Sequence, residues 1–359
     1  MTRKHTKAQI VSMASAVPQA MDQQALWDEH FAAVYGNDAR AARIWRSAGV
    51  HTRHGVVDPR VEDVAGWGTE ARMRRHLAEA VPLGKEAVAG ALAASGLRAS
   101  EIGLFAVASC TGYATPGLDI VLARDLGMND STQRLSIGHM GCYAAVPGLG
   151  AVADYVVARG RPAVLLCCEL TSLHVQAPSA RRPGNRLDAA EMQQLVTHAL
   201  FADAAAAVVL APDAEGFEVT DVEARTDVGS TDHMTWNITD LGFRMGLSPQ
   251  VPDVLARQVR STVEALLSRN GLRVDDVDAW AVHPGGPRIL DVVETRLGLE
   301  PADLQPSREV LRRHGNCSSA TVLLILERLL ATRPGGPVVT VAFGPGLTLY
   351  TALLNAGAG

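Results

Sequence analysis

Two stretches half a chain apart repeat one another, and this constrains the fold more than any other feature of the sequence. Residues 91–128 read ALAASGLRASEIGLFAVASCTGYATPGLDIVLARDLGM, and residues 265–299 read ALLSRNGLRVDDVDAWAVHPGGPRILDVVETRLGL. Gly96 matches Gly271, Leu118 matches Leu290 and Gly127 matches Gly298, so the register holds across helix, turn, strand, loop and helix. The parallel runs on. Gly141-Cys142 precedes a helical stretch 144–159 and a strand 163–168, while Gly315-Asn316 precedes a helical stretch 318–332 and a strand 338–343. Short continuous apolar runs such as 104–108 and 338–341 read as strands buried under helices on both faces. An α/β protein of two duplicated halves is expected, divided at Asp213-Ala-Glu-Gly216 into residues 1–213 and 214–359.

Composition narrows the functional classes. Of 359 residues, 47% are hydrophobic and 20% charged, a balance that builds a core. Acidic residues outnumber basic ones, 38 to 33, with no basic cluster to follow a phosphate backbone, which argues against nucleic acid as a partner. The basic start Met1–Lys7 is followed by an apolar-leaning stretch resembling a signal peptide, but Gln9, Ser12 and Ser15 interrupt it; a first strand over 10–17 is the better reading. No run approaches the ~18–20 apolar residues that cross a bilayer. The five cysteines, two of them adjacent at 167 and 168, form neither a disulfide framework nor zinc-ligand spacing. A reducing cytoplasm, and no metal, are expected.

Ligands of α/β sheets gather at strand ends and the loops that follow. Cys142 and Asn316 occupy equivalent loop-to-helix turns, and His283 ends the strand equivalent to the one ending near Cys110. A pseudo-two-fold relation between the halves would bring the three together. At a helix entrance beside an imidazole, Cys142 is expected to have a lowered pKa and to act as a nucleophile. Pro147 is compatible with a helix starting near Ala144, because the first N–H groups of a helix are unpaired anyway. His283 and Asn316 could aim two N–H groups at one oxygen and stabilise an enolate. Gly285 and Gly286, just after His283, allow the backbone close to a ligand. Taken singly, each residue also has an ordinary structural reading: a buried thiol, a packed histidine, an N-cap. Spacing alone does not separate acyl transfer from a cysteine hydrolase.

Five ordered motifs then resemble the type III polyketide synthases, the chalcone-synthase-like group of thiolase-fold condensing enzymes. They are Met140-Gly-Cys-Tyr-Ala-Ala145, Leu200-Phe-Ala-Asp-Ala-Ala-Ala-Ala-Val208, His283-Pro-Gly-Gly-Pro-Arg-Ile-Leu-Asp291, Gly315-Asn-Cys-Ser-Ser-Ala-Thr-Val322 and Phe343-Gly-Pro-Gly-Leu-Thr348. The resemblance spans nearly the whole chain. It implies a five-layer αβαβα thiolase-like fold, a homodimer, Cys142 as the acyl carrier, and His283 with Asn316 as promoters of decarboxylation. Ketoacyl synthase III enzymes usually have HxxN where this chain has His283-Pro-Gly-Gly286, which favours the polyketide synthase branch.

The resemblance also implies a cavity formed by Cys110, Thr115, Thr171, His174, Phe201, Trp236, Met245 and Ser318. Phe201 matches one gatekeeping phenylalanine, and Met245 stands in for the second, which favours an aliphatic starter. Trp236 replaces a small residue and closes one direction of the cavity; Thr115, on the loop that reaches the partner subunit, replaces a larger one. Cys110 reads equally as a second cavity thiol and as packing. Arg43, Arg46, Arg53 and Arg288, with Gly285 and Gly286, are candidates for coenzyme A binding. Stretches 169–176 and 234–249 look like actinobacterial members, including alkylpyrone-forming mycobacterial ones. Acyl-CoA with malonyl-CoA or methylmalonyl-CoA would be the substrates, with no cofactor and an alkyl-α-pyrone as product. A single-condensation ketoacyl synthase III-like enzyme and a non-catalytic acyl-CoA-binding subunit are the alternatives.

Overall fold

A computed structural model describes residues 6–177 and 187–356; residues 1–5, part of the basic start, lie outside them. Among the described residues the strands are, in chain order, β1 Ala8–Ala16, β2 Ala20–Asp22, β3 Thr52–His54, β4 Leu104–Ser109, β5 Gln133–Gly138, β6 Ala163–Leu170, β7 Asp203–Pro212, β8 Phe217–Thr226, β9 Met234–Thr239, β10 Gly242–Leu247, β11 Ala279–Val282, β12 Val338–Gly344 and β13 Thr348–Ala356. The helices of eight residues or more are α1 Ala39–Arg46, α2 Thr69–Ser95, α3 Leu118–Leu126, α4 Ala145–Arg159, α5 Ala189–Leu200, α6 Val251–Arg269, α7 Pro287–Leu297, α8 Gln305–His314 and α9 Ala320–Ala331.

Nine strands join in the order β11-β12-β13-β8-β1-β7-β6-β4-β5. The run β4-β6-β7-β1 of the first half corresponds to β11-β12-β13-β8 of the second. In each, the first pair is parallel and the others are antiparallel. The two half-sheets meet only where Gln9 and Ile10 pair with Glu218 and Phe217.

Alternation along the strands builds the layers. In β6, Ala163, Leu165 and Cys167 pack with α4 and α9, whereas Val164, Leu166 and Cys168 pack with α2 on the opposite face. In β12, Val338 and Ala342 face α4 and α9, while Val339 and Val341 face α6 and α7. Helices α4 and α9 therefore lie between the half-sheets, and the architecture is α-β-α-β-α, as the resemblance implied. Burial of apolar side chains on both faces is the stabilising term; truncating a middle-layer residue such as Leu149 to Ala would cost about 2–5 kcal/mol. Among the described residues one helical stretch, Gly141–Arg159, is long and apolar enough to cross a membrane, and it is the middle-layer α4 with its entry turn, mostly buried. Pro147 is the third residue of α4, where no intrahelical N–H bond is lost.

Boundaries differ in ways that matter. β1 begins at Ala8, because Ala8 and Gln9 already pair with Pro212 and Ala211. β6 runs on to Leu170, past the expected end at Cys168, and so carries Glu169 into the interior.

Candidate active site

The middle-layer helices are entered by the two matched turns. Gly141–Tyr143 forms a single 3-10 turn ahead of α4, with Gly141 at φ 76°, where a Cβ would lie 2.5 Å from Pro345. Glycine lets the Cys142 turn dock on the 343–348 segment. Gly315 plays the matching part before α9: at φ 72°, a Cβ there would meet Ala202 at 2.9 Å and the Leu200 carbonyl at 3.0 Å. That close approach pairs Asn316 with the turn after α5. Its N–H donates to Leu200 O at 2.8 Å and its carbonyl accepts from Ala202 N at 2.9 Å.

The three catalytic candidates converge through their neighbours. Ser318 Oγ is hydrogen-bonded to the Cys142 thiol and lies 3.4 Å from Cys110 Sγ. The Ser318 N–H donates to Asn316 Oδ1 at 2.9 Å, which leaves the amide NH2 as the free donor of that side chain. His283, fully buried, sets its ring edge-on to Phe343 at 5.7 Å, and Phe343 leads into the Gly344-Pro345 backbone packed on the Cys142 turn. Neither ring nitrogen of His283 has a hydrogen-bond partner among the described residues. A buried imidazole left this way is costly unless a ligand completes it.

Electrostatics correct one expectation. Burial pushes the Cys142 thiol up to about 12, with the Glu169 carboxylate adding to the rise against the Ser318 hydrogen bond. Burial likewise pulls His283 down to about 3. In place of the lowered thiol expected from the helix entrance, burial and the Glu169 charge raise it.

Of the remaining candidates, Thr171, His174 and Phe201 line a cavity of about 40 Å³ with His198 and Arg53, on the far side of the turn after α5. Trp236 donates from Nε1 to Cys110 O at 2.7 Å and pairs across the hairpin with Met245. Thr115 is exposed and stands apart from these residues. Leu200, Gly285, Gly286, Arg288 and Phe343 line a separate cavity of about 490 Å³, to which α1 contributes Ile44 and the turn after it Ser47 and Ala48. Arg43 and Arg46 are exposed on that same helix. Arg53 is a correction. It is buried against Trp45, its guanidinium 5.0 Å above the ring, and donates to the carbonyls of His198, Ala199 and Phe201 and to Gln23 Oε1. It closes the C-terminal end of α5 and has no donor to spare for a phosphate.

Glu169 was missed as a site residue. Its carboxylate accepts from Cys110 N at 3.0 Å, Thr111 Oγ1 at 2.9 Å and Ser319 Oγ at 2.5 Å, and both oxygens touch the Cys110 thiol. The signal was present in the sequence: one carboxylate at the end of the apolar run 163–168. Among the described residues no three His, Cys, Asp or Glu are gathered as metal ligands, and all five cysteines are free and buried.

The family models for the N-terminal and C-terminal domains of chalcone and stilbene synthases match residues 1–214 and 224–357. The chain is 30% identical over 98% of its length, and 91% of the relative's, to the alpha-pyrone synthesis polyketide synthase-like Pks18 of Mycobacterium tuberculosis. It is 37% identical to the 1,3,6,8-tetrahydroxynaphthalene synthase of Streptomyces peucetius, over 87% of this chain and 82% of that one. Among solved structures, PKS-I of the brown alga Ectocarpus siliculosus superposes with a TM-score of 0.89 at 27% identity, covering 99% of this chain and all of that one. The chain belongs to the chalcone and stilbene synthase family and is a type III polyketide synthase, an acyltransferase of the condensing-enzyme kind.

Proposed function

We propose that Cys142, His283 and Asn316 carry out the condensation and that the product is an alkyl-α-pyrone. The Cys142 thiol passes its proton to His283 as sulfur attacks the acyl-CoA carbonyl, and the departing CoA sulfur takes that proton back. Malonyl-CoA or methylmalonyl-CoA then loses carbon dioxide, and the resulting enolate oxygen is held by N–H donors of His283 and Asn316. The enolate carbon attacks the Cys142 thioester, forming the carbon–carbon bond and expelling the Cys142 thiolate. For each further round the extended chain, now a CoA thioester, is taken back by Cys142 with loss of CoA; at full length an enol oxygen attacks the thioester carbon, expelling the thiol and releasing the ring.

The observation that carries this reading is His283, a fully buried imidazole with neither nitrogen paired among the described residues. The cavity bearing Gly285, Gly286 and Arg288 suits the pantetheine arm, with Arg43 and Arg46 near the phosphates. An aliphatic starter fits Met245 better than a second aromatic gate would, and similarity to Pks18 supports the pyrone. The enzyme is read as a cytoplasmic homodimer. Edge strand β5 is largely exposed, and Tyr113, Ile120 and Leu135 leave apolar surface that a second copy would cover, with Thr115 on the adjoining loop.

A second reading, a small aromatic product, is favoured by the Trp236, His174 and Phe243 rings packed beside Cys110 and by similarity to tetrahydroxynaphthalene synthase. The test incubates the enzyme and Cys142→Ala with short, long and aromatic acyl-CoAs plus malonyl-CoA or methylmalonyl-CoA, reading products by mass spectrometry. Alkylpyrones lost in the variant support the proposal. Aromatic products from malonyl-CoA alone move it to the second reading, and linear β-keto products refute cyclisation.

A further inference from the structure

The imidazole of a functional histidine is ordinarily oriented by a hydrogen bond to its second nitrogen. His283 has none: neither ring nitrogen is paired among the described residues, so packing alone sets the plane of the ring. Strand β12 supplies that packing. The His283 N–H donates to Val341 O at 2.8 Å, which ties the end of β11 to β12. Two residues further along β12, the buried Phe343 ring meets the imidazole edge-on, with centroids 5.7 Å apart and planes at 70°. The tip of the Phe343 ring rests against Gly285, where a Cβ would lie 2.8 Å from Cζ and 3.0 Å from Cε2. A residue with no side chain at 285 is what admits the ring beside the imidazole.

The next two residues of the same strand end hold the nucleophile. A Cβ at Gly344 would stand 2.9 Å from Tyr143 Cδ1 and 3.2 Å from Cys142 N, and one at Gly141 would stand 2.5 Å from Pro345 Cδ. The backbone after Phe343 therefore lies directly on the Cys142 turn. Thiol and imidazole come from different halves of the chain, yet both are placed by the run Phe343-Gly344-Pro345.

We propose that Phe343 is a positioning residue: its ring fixes the His283 imidazole that accepts the Cys142 proton, while Gly344 and Pro345 seat the Cys142 turn. The inference rests on the reading of His283 as that acceptor. Phe343 acts on the thiol only through His283, and this separates it from a residue that merely supports the fold.

The test is alkylation of Cys142 by iodoacetamide at neutral pH, followed by peptide mass spectrometry, in Phe343→Leu, His283→Ala and the double variant. Each is checked for folding by circular dichroism and thermal melting. No substrate is present, because Phe343 also lines the cavity assigned to the pantetheine arm and an acyl-CoA KM would report both roles. His283→Ala is expected to slow alkylation about 100-fold, since the thiol loses its proton acceptor. Phe343→Leu should slow it about tenfold, since the acceptor is kept but misplaced. In the double variant the Leu substitution adds nothing, and the rate stays within about twofold of His283→Ala alone. Gly285→Ala presses a methyl group onto the Phe343 ring and should also slow alkylation. Should Phe343→Leu fail to fold, Gly285→Ala with and without His283→Ala carries the test. A folded Phe343→Leu that alkylates at the rate of the unaltered enzyme overturns the proposal. So does an equal fold-loss in the presence and absence of His283. If His283→Ala alone leaves the rate unchanged, the acceptor assignment itself fails, and the proposal falls with it.

Discussion

Acidification from pH 7.5 to 5.0 should cost this enzyme much of its folding stability, through histidines outside the catalytic trio. His76 is held at about 4, and His174 and His198 at about 3, in each case chiefly by burial; positive neighbours, Arg72 for His174 and Arg53 for His198, add to the effect. In the unfolded chain each returns to its ordinary value of 6.5. The folded pKa is below the unfolded one, so between them the unfolded state binds more protons and stability falls as pH falls. At pH 5.0 each histidine removes about 2 kcal/mol, about 6 kcal/mol together, set against a typical total of about 5–15 kcal/mol. His174 has a structural reason to resist: protonating Nδ1 would turn it against the Phe243 N–H it now accepts from. Glu169 and Asp203, raised by burial, take up protons in the folded state and work in the opposite sense. A net loss of at least about 3 kcal/mol is expected. Urea unfolding at fixed protein concentration, at half-unit steps across this range, measures it. His76→Leu, which removes a buried imidazole whose Nε2 has no partner, should lower the slope by about one proton, about 1.4 kcal/mol per pH unit. Stability constant to within about 1 kcal/mol from pH 7.5 to 5.0 would refute the assignment of these histidines as neutral and desolvated.

Glu169→Gln removes a charge that holds the Cys142 thiol up, so alkylation of Cys142 by iodoacetamide at pH 8 should quicken, although stability drops by about 1–3 kcal/mol as an acceptor facing the Thr111 and Ser319 hydroxyls is lost. Slower alkylation would contradict the stated electrostatics. Arg53→Met leaves the carbonyls of His198, Ala199 and Phe201 without a donor; an unfolding free energy lowered by about 2–4 kcal/mol and slower malonyl-CoA decarboxylation are expected, because Asn316 is strapped to that same turn. An unchanged coenzyme A KM in this variant would agree with its buried position, and a large rise would restore it as a phosphate ligand. Gly315→Ala, at φ 72° and 2.9 Å from Ala202, should lose about 1–2 kcal/mol of stability and depress decarboxylation more than starter loading; equal activity would show the Asn316 turn to be tolerant.

Much of this was legible in the sequence because its signals are local or repeated. The near-constant offset of Gly96 and Gly271, and of Gly141 and Gly315, marks two equivalent halves and matches Cys142 with Asn316. Apolar runs such as 163–168 identified the strands, since a strand covered on both faces has no polar side to show. The five motifs carried the family. Side-chain environment was not legible, because it is assembled from distant segments. Arg53 looked like a phosphate ligand until Trp45, Gln23 and three carbonyls at the end of α5 enclosed it. Cys142 was expected to be acidified by its helix, yet desolvation by the surrounding layers wins. Glu169 gained its role only when β6 and the Cys110 turn met. The sequence by itself determined the duplicated α/β layers and the family, which follow from periodicity and motif; the tertiary structure alone decided which charges are paired, neutral or enclosed, since that depends on what distant residues exclude water from each group.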